Sequence, residues 1–414
     1  MPSNINESVA KHISYSRMSS LFEYGTSKFD KRVNLNKRTQ ITSRHRLVKV
    51  EELLLPVDGA TTKIPQESIQ TGGETPVVTQ ESDLLVSGYC DGYEQITDIP
   101  LILMGDHTCV FKWIDFHFVR GADNTQLLKF DDMRILPKYA YYFLRNTKLP
   151  NHDKYERHFK YVKSLKIPLP SLDVQRQIVA EFETVEQEIG SVKKGIEEAQ
   201  QGIKAKFLEL FGDPVSNPMG WQAEKLAEVT TKIGSGATPK GGESSYVASG
   251  TSLIRSMNVY NGCFKYDGLA FITDEQAKQL DGVTVEKNDV LLNITGASVA
   301  RTCVVPNDVL PARVNQHVSI IRCDSSRLNH VFANAALTTE SYQRLLISIG
   351  EAAGMSRQAI TKAQIENLSM ILPPIEQQNS FAEFFYSATE SVAKLQLVLD
   401  ETSKKQSKIL EKYL

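Results

Sequence analysis

The sequence predicts an α+β fold: two mainly β domains, each followed by a long α-helix, with the two helices paired as an antiparallel coiled coil. Three observations support this prediction. Residues 172–211 keep a heptad spacing of apolar side chains, a matching pattern follows at an offset of 203 residues, and short apolar runs bounded by Gly, Asp and Pro precede both. Sustained heptads predict paired helices, and short bounded runs predict strands.

The N-terminal segment, residues 1–45, is a polar extension in which eight Lys or Arg residues face three acidic ones. One interpretation is a contact with nucleic acid or with an acidic partner surface, because local positive charge attracts both. The other is a solvated extension without a binding role. The composition favours neither.

Residues 46–165 are predicted to form the first mainly β domain. Strand-like runs occur at Leu84–Val86, Leu101–Met104 and Phe116–Val119, and the segment Lys138–Arg145 has the pattern of a short amphipathic helix. Their spacing and their polar boundaries are typical of a β-rich domain that carries some helix.

A basic segment lies at the end of this domain. From Lys138 to Lys166, eight basic residues face two acidic ones, with aromatic residues interleaved. Cations neutralise phosphates and aromatic rings stack or pack, so we interpret the segment as a DNA-facing edge. The alternative is a basic surface loop anchored by its aromatic side chains. The DNA-binding candidates of the domain are Lys112, Lys154, Arg157, His158, Lys160 and Lys163.

Residues 166–212 are predicted to be a central spacer helix. Its apolar residues recur at alternating spacings of four and three, interrupted at Lys206. Its apolar stripe, from Ile178 to Leu210, would span roughly 50 Å and needs a partner helix to bury it. Its seam, the set of positions predicted to face that partner, contains Ile178, Phe182, Val185, Ile189, Val192, Ile196 and Ile203.

Residues 213–367 are predicted to form the second mainly β domain, with buried strands at Val290–Ile294 and Val318–Arg322. The loop GSGATPKGG lacks the second glycine of a phosphate-binding GxxxxGK[ST] loop, so we interpret it as a plain loop. Arg, Lys, Asn and Gln side chains suit base edges and phosphates, although residues 313–317 could equally be an exposed strand end. The candidates here are Arg255, Asn258, Arg313, Asn315, Gln316, Arg357 and Lys362.

Residues 368–414 are predicted to be a C-terminal spacer helix. Its entry sequence LPPIEQQ matches LPSLDVQ of the central helix at an offset of 203 residues. The chain is therefore an internal repeat of a domain and a helix, far longer than a solenoid unit. The second seam contains Phe381, Phe385, Val392, Leu395, Leu399 and Ile409, while Thr402 and Gln406 loosen it near one end.

Pairing the two seams makes the helices antiparallel and gives the repeats a pseudo-two-fold axis across the coiled coil. This is the symmetry of a dimeric DNA reader on a two-part site. Because the two domains differ in sequence, we expect an asymmetric bipartite target with a gap of fixed length.

Composition and missing motifs exclude several other functions. The chain has 41% hydrophobic and 23% charged residues, a formal net charge of −2, and no apolar run or leader of the kind that membranes or secretion require. Its five scattered cysteines indicate reduced thiols in a cytoplasmic protein. Methyltransferase [DNS]PP[FYW], nuclease [DE]xK, HExxH and GxSxG motifs are absent from the sequence, which predicts a non-catalytic chain without a metal site.

Several stretches together resemble the specificity subunit of type I restriction-modification enzymes. These are the two helix entry sequences, the junction FLELFGDPVSNPMGW, the runs TSLIRSMNV, VLLNITGASVARTCVV and VNQHVSII of the second domain, and ILMGDHTCVFKWIDFHFVRGAD with KYAYYFLR in the first. The resemblance covers nearly the whole chain, most strongly residues 46–414.

The resemblance implies that residues 46–165 and 213–367 are two target recognition domains. It further implies that the chain binds double-stranded DNA, two adenine methyltransferase subunits that use S-adenosylmethionine, and motor-nuclease subunits that use ATP and Mg²⁺. The chain itself would bind no cofactor. Recognition domains vary within the family, so no base-reading residue is transferred by motif. The alternative function is a non-catalytic protein adaptor with two binding domains and a coiled-coil spacer.

Overall fold

The structure is a computed structural model that describes residues 43–58, 63–81, 84–121, 124–150, 156–351 and 358–414. The interpretation of residues 1–42 and the candidates Lys154 and Arg357 lie outside these ranges. The described chain divides into an N-terminal unit of residues 43–191 and 398–414, and a C-terminal unit of residues 192–397. Each unit therefore contains part of both long helices.

Among its described residues, the N-terminal unit contains ten short strands, two short helices and one part of each long helix. The strands are β1 Leu47–Lys49, β2 Leu54–Leu55, β3 Lys63–Ile64, β4 Thr75–Val78, β5 Gly88–Cys90, β6 Leu101–Gly105, β7 Phe111–Ile114, β8 Val119–Gly121, β9 Thr125–Phe130 and β10 Lys166–Pro168. The helices are α1 Pro137–Arg145, α2 Phe159–Ser164 and α3 Leu172–Phe211, of which residues 172–191 belong to this unit.

Two four-stranded sheets form the β part of this unit. One is antiparallel with the order β2-β9-β6-β7, and the other has the order β3-β8-β4-β5 with parallel β3–β8 and β4–β8 pairs. Strand β1 pairs with β10 so that Val48 lies opposite Ile167, and both side chains are buried. This pair brings the first strand of the domain beside the strand that leads into α3.

The C-terminal unit repeats this plan with twelve strands. They are β11 Ala223–Lys225, β12 Thr230–Ser235, β13 Thr251–Ile254, β14 Val259–Tyr260, β15 Cys263–Phe264, β16 Ala270–Ile272, β17 Thr284–Val285, β18 Val290–Asn293, β19 Thr302–Val304, β20 Ala312–Val314, β21 Val318–Cys323 and β22 Ser369–Ile371. The helices are α4 Leu226–Val229, α5 Asp274–Gln279, α6 His330–Leu337, α7 Glu340–Glu351, α8 Lys362–Glu366 and α9 Ile375–Tyr413. Residues 375–397 of α9 and residues 192–211 of α3 belong to this unit.

The two repeats agree in their sheets and in the spacing of their later elements. The antiparallel sheet β12-β21-β18-β19 corresponds to β2-β9-β6-β7, and β11–β22 corresponds to β1–β10. Elements α7, α8, β22 and α9 begin 203 residues after α1, α2, β10 and α3. The second sheet differs at one edge: β17 pairs antiparallel to β20, whereas β3 pairs parallel to β8.

Most of the predicted elements are confirmed. The runs at Leu101–Met104, Val290–Ile294 and Val318–Arg322 form β6, β18 and β21, and Lys138–Arg145 lies in α1. The strand predicted at Leu84–Val86 is wrong, because these residues form no strand and Leu84 is 54% exposed. An apolar run without a pairing partner does not become a strand.

In the N-terminal unit, the start of α3 packs on the end of α9. Ile178, Phe182 and Val185 share one buried cluster with Ile409. The ring of Phe182 stacks on that of Tyr142 in α1 at a centroid distance of 4.4 Å, which fixes the helix against the domain.

In the C-terminal unit, the end of α3 packs on the start of α9, so the helices run antiparallel in both units. Phe207 and Phe211 are buried with Phe381, and the centroid of Phe207 lies 5.4 Å from that of Phe381. The regular heptad spacing places Lys206 in the seam. This prediction is wrong, because Lys206 is only half-buried, whereas the next residue, Phe207, is buried. The spacing changes here to four and four (Ile203, Phe207, Phe211), a stutter that turns the stripe toward the domain.

The seam residues keep a buried or half-buried pattern along both helices. Ile196, Val392 and Leu399 are buried, whereas Ile189, Val192, Ile203, Phe385 and Leu395 are half-buried. An added Cβ atom at Gly195 would lie 3.5 Å from Leu395 Cδ1, which is an ordinary contact distance. The two helices therefore lie side by side here, and the packing does not require a glycine.

Candidate nucleic-acid interface

Helix α2 carries the central part of the basic segment, and the buried carboxylate of Asp106 positions it. Asp106 Oδ1 accepts a hydrogen bond from the Phe159 N–H at 2.7 Å, and the Asp106 carbonyl accepts one from the His158 N–H at 3.0 Å. These bonds tie the start of α2 to the turn between β6 and β7. The basic helix is therefore held in place by a hydrogen-bonded group inside the domain.

His158 requires a correction, because it is fully buried. Its Nδ1 lies 2.9 Å from the Asp106 carbonyl oxygen, and its ring packs near that of Tyr161. Its place at the start of α2 gives it a structural role, so His158 is no longer a DNA-binding candidate.

Three cations of the segment lie at the surface, one just before α2 and two on it. Arg157, Lys160 and Lys163 are exposed. Lys163 Nζ lies 4.9 Å from the Phe159 ring centroid, and Lys160 Nζ lies 2.9 Å from Glu156 Oε2. The bond to Glu156 raises the pKa of Lys160, so its ammonium stays charged. The aromatic residues of the segment thus support the cations.

Two other cations of the basic segment face α3. Lys138 Nζ lies 2.6 Å from Glu183 Oε1, and Arg145 forms an ion pair with Glu186. Glu186 Oε2 also accepts a hydrogen bond from the Tyr142 hydroxyl at 2.8 Å. These pairs hold α1 against the long helix. The N-terminal part of the segment therefore serves domain packing, which the charge count alone did not show.

Lys112 is also corrected. It lies on β7 with 5% of its surface exposed, and its Nζ donates to the Leu84 carbonyl at 2.6 Å. Burial lowers the pKa of Lys112 to about 8. A buried ammonium already bonded to a carbonyl is not available to a phosphate.

In the C-terminal unit, three candidates are buried and are corrected for the same reason. Asn258 is fully buried; its Oδ1 accepts from the Arg255 N–H at 3.0 Å and its Nδ2 donates to the Lys265 carbonyl at 2.8 Å. Arg313 donates to Ala277 and Ala312 carbonyls and pairs with Asp281 at 2.7 Å. Asn315 accepts from the His317 N–H at 3.0 Å.

Arg255 is largely enclosed, and two candidates are exposed. The Arg255 guanidinium donates to Glu243 Oε1 and to the Gly268 carbonyl, both at 2.7 Å, and lies over the Tyr246 ring. Gln316 accepts a hydrogen bond from the Thr238 hydroxyl at 2.6 Å. Lys362 lies beside a shallow groove of about 590 Å³ along β12, together with Lys232. The exposed candidates of this unit are thus Gln316 and Lys362.

The structure brings together a cationic cluster that the sequence analysis missed. Lys265 Nζ lies 3.7 Å and Arg301 Cζ 4.3 Å from the Tyr260 ring centroid. Tyr260 ends β14 and Lys265 follows β15 in one hairpin, for which the Asn261-Gly262 pair is a sequence signal. Arg301 comes from a distant turn, so only the fold shows the cluster.

The described residues were also searched for metal-binding groups, membrane-spanning helices and disulfide bonds. Across the described ranges, no group of three or more His, Cys, Asp or Glu side chains could hold a metal ion. Over the same residues, no helix is long and apolar enough to cross a membrane. All five cysteines are free thiols, and burial raises the pKa of Cys263 to about 12, so this thiol is unreactive.

Known proteins match both the sequence and the fold. Residues 218–397 match the model of the type I restriction modification DNA specificity domain. Two relatives come from Methanocaldococcus jannaschii: the type I restriction enzyme MjaVIII specificity subunit, 22% identical over 281 residues, and the putative MjaX specificity subunit, 24% identical over 288 residues. In each alignment the match covers 64% of this chain and 64% of the relative, so the chain spans just under two thirds of the length of these proteins.

Two solved structures share the fold over most of their length. The S subunit of a type I restriction-modification system from M. genitalium has a TM-score of 0.57 and 13% identity, covering 91% of this chain and 98% of that one. A chain from a study of complex assembly and conformational transition of the type I R-M system has a TM-score of 0.51 and 17% identity, covering 91% and 99%. The resemblance to type I specificity subunits is therefore confirmed: residues 218–397 match the type I restriction modification DNA specificity domain, and the solved structures share the fold.

Proposed function

We propose that this chain is the sequence-specific DNA-recognition subunit of a type I restriction-modification complex. The observation that carries the proposal is the match of residues 218–397 to the DNA specificity domain, in a chain whose other unit repeats the same plan. A duplicated DNA-recognition domain has two places to read sequence. The target is therefore bipartite, with two different half-sites.

Each domain reads DNA with a small exposed set of polar side chains. In the N-terminal unit these are Arg157, Lys160 and Lys163, and in the C-terminal unit Gln316 and Lys362. Cations fix the protein on the phosphates, while side-chain amides suit base edges. The chain carries 47 basic and 49 acidic residues. With so little net attraction for DNA, the isolated subunit binds DNA weakly and needs its partner subunits for a tight complex.

The chain does no chemistry of its own in this proposal. Two adenine methyltransferase subunits, which use S-adenosylmethionine, bind the outer faces of α3 and α9, and each extracts its target base from the duplex. Motor-nuclease subunits, which use ATP and Mg²⁺, join this assembly. The site of action is the cytoplasm, where the DNA is accessible.

The spacer helices set the gap between the two half-sites. The helix α3 has 40 residues and α9 has 39. At about 1.5 Å per residue, a change of one helical turn alters the length by about 5 Å, which is more than the axial rise of one base pair. The gap in the target therefore follows from the length of these helices.

The second candidate function is that of a protein adaptor. It is favoured by exposed apolar side chains at one end of the helix pair, namely Leu208, Phe384 and Tyr386. Purification with an adenine methyltransferase subunit from the same genome separates the two. The proposal predicts a stable complex that methylates one bipartite DNA sequence. A chain that copurifies with other proteins and leaves methylation unchanged would support the adaptor.

A further inference from the structure

We infer that Gln316 reads an adenine in the major groove of DNA, with its amide group held in place by Thr238 and His317. The inference rests on the proposed function and adds to it one base-reading residue and its base. Gln316 Oε1 accepts a hydrogen bond from the Thr238 hydroxyl at 2.6 Å, and Gln316 Nε2 lies 3.2 Å from His317 Nε2. Gln316 is exposed, so a ligand can reach the amide group between these two residues.

An amide held in this way still has one acceptor and one donor to offer. Its oxygen accepts two hydrogen bonds and its nitrogen donates two, whereas Thr238 and His317 use one position on each atom. In the major groove adenine presents the N6–H donor beside the N7 acceptor, and a glutamine side chain pairs with both. Guanine presents two acceptors there, and cytosine and thymine each present one hydrogen-bonding group. Adenine is therefore the base that matches the free positions of the amide.

Further hydrogen bonds hold His317 itself. Its Nδ1 lies 2.6 Å from the Thr295 hydroxyl, so both ring nitrogens have a partner. Its N–H donates to the side-chain oxygen of Asn315, a buried residue, at 3.0 Å. The imidazole ring and the backbone on either side of Gln316 are thus fixed before any ligand arrives. A side chain that is already in place loses less conformational entropy on binding.

The glycine-rich loop of residues 234–242 brings Thr238 to Gln316. The Gly236 N–H donates to the Asn315 carbonyl at 3.1 Å. A Cβ atom at Gly236 would lie 1.9 Å from the Val314 carbonyl oxygen, so only glycine permits this approach. The loop that does not fit a phosphate-binding motif therefore has a different role, which is to present the Thr238 hydroxyl to the glutamine.

The N-terminal unit has a similar polar pair at the equivalent place. Asn124 corresponds to His317, because each carbonyl accepts the N–H of the residue that directly follows β6 or β18, at 2.8 Å and 3.0 Å respectively. Asn124 Nδ2 lies 3.0 Å from His107 Nε2, just as His317 lies beside Thr295. The repeat thus keeps a polar pair at this end of the sheet and changes its residues. Two domains that read different half-sites require such a change.

In both units this place adjoins the short helix that carries exposed cations. The Glu156 carbonyl oxygen lies 3.1 Å from His107 Nδ1, and the cations on and just before α2 follow Glu156 in the chain. In the C-terminal unit, Thr295 forms an antiparallel bridge with Ala359, and Lys362 at the start of α8 follows three residues later. Cations position a protein on the phosphates while amides contact the base edges, so the two functions lie side by side.

The test uses the full chain with its methyltransferase subunits in a host without adenine methylation, and it maps the methylated motif for each variant. The wild type should select an adenine at one position of one half-site, apart from the methylated adenine, which leaves the base stack. Gln316→Ala should accept every base at that position. Gln316→Glu should reject adenine there and favour cytosine, because a carboxylate accepts from the cytosine amino group but cannot donate to adenine N7. The other positions and the gap should not change.

Binding of the purified complex to duplexes that differ only at this position measures the size of the effect. The wild type should bind the adenine duplex about tenfold to hundredfold more tightly than the other three, and Gln316→Ala should lose this ratio. Thr238→Val, which removes the hydroxyl, should lower the ratio by about threefold to tenfold, and Thr238→Ser should restore it. A merely structural role of Thr238 would change stability or overall affinity and leave the ratio as it is.

The matched control is Gln222→Ala, which truncates an exposed glutamine just before β11 and should leave the motif and the ratio unchanged. Thermal unfolding of each variant separates a folding defect from a change in specificity. Because Gln316 is exposed, its variants should unfold at the wild-type temperature.

Three outcomes would overturn the inference. In the first, Gln316→Ala keeps the wild-type motif and binding ratio. In the second, the position that Gln316→Ala relaxes is one at which the wild type does not select adenine. In the third, Thr238→Val and Thr238→Ser both keep the wild-type ratio, so that Thr238 does not position the amide. A wild-type complex that methylates no bipartite motif would instead contradict the proposed function itself.

Discussion

Gln175 and Gln378, which lie 203 residues apart at the start of the two long helices, are both fully buried, and each donates a hydrogen bond to the carbonyl of the proline five residues before it. Each side-chain oxygen also accepts a backbone N–H, although these two donors are not equivalent in the repeat. Gln175 Oε1 accepts the Leu136 N–H at 2.7 Å and its Nε2 donates to the Pro170 carbonyl. Gln378 Oε1 accepts the Asn329 N–H at 2.9 Å and its Nε2 donates to the Pro373 carbonyl. The repeat is thus preserved in hydrogen bonds as well as in the heptad pattern.

We expect Gln378→Leu to lower the free energy of unfolding by about 2 to 4 kcal/mol, because it leaves a buried N–H and a buried carbonyl without partners. Gln175→Leu should cost a similar amount. Urea denaturation measures both. The control is Gln377→Leu, whose side chain is exposed and which should change stability by no more than about 0.5 kcal/mol. Equal effects of Gln377→Leu and Gln378→Leu would show that the buried amide does not hold the helix.

The change of frame in α3 gives a second prediction. Phe207→Ala should destabilise the protein by about 3 to 5 kcal/mol, because it removes an aromatic ring from the buried cluster with Phe211, Phe332 and Phe381. Lys206→Ala, at the position that the regular heptad assigns to the seam, should cost no more than about 0.5 kcal/mol. Chemical denaturation of the two variants decides whether Lys206 or Phe207 occupies the seam. If Lys206→Ala destabilised the protein more than Phe207→Ala, the regular heptad register, with Lys206 in the seam, would be the correct one.

The lowered pKa of Lys112 predicts that the free energy of unfolding depends on pH. Burial lowers its pKa from 10.5 to about 8, so between these values the unfolded chain binds more protons than the folded chain. This group therefore makes the protein more stable as the pH rises through that window, and it opposes folding below pH 8. Relative to wild type, Lys112→Met should be most stabilising below pH 8 and should lose that advantage by pH 10.5. Denaturation of both proteins at each pH tests this, and a pH-independent difference would contradict it.

The exposed cations on and just before α2 give a prediction for DNA binding. In the complex with methyltransferase subunits, Arg157→Gln with Lys163→Gln should weaken binding and reduce the salt slope by about one unit for each phosphate that the protein no longer neutralises. The control is Lys49→Gln with Lys63→Gln, which removes two exposed positive charges elsewhere in the same unit. Titration of fluorescent duplexes measures the slope. Unchanged slopes in the α2 variant would place this helix away from DNA.

The sequence predicts the framework well and the interface poorly. The helix bounds, β6, β18 and β21 follow from periodicity, because burial against one neighbour imposes a regular spacing on the chain. Arg313 and Asn258 have residue types suited to DNA, but the fold uses their polar groups to satisfy buried carbonyls and N–H groups. Arg301 lies beside Lys265 only through tertiary packing, so no local pattern identifies that pair.

The central claim, that this chain selects a bipartite DNA sequence for methylation, is tested most directly by mapping methylated adenines. The chain and a methyltransferase subunit from the same genome are expressed together in a host without adenine methylation, and the host DNA is sequenced by a method that detects the modified base. We expect one asymmetric motif with two different half-sites and a fixed gap, and no such motif when the chain is omitted. Methylation that does not depend on the chain, or a motif with no gap, would contradict the account.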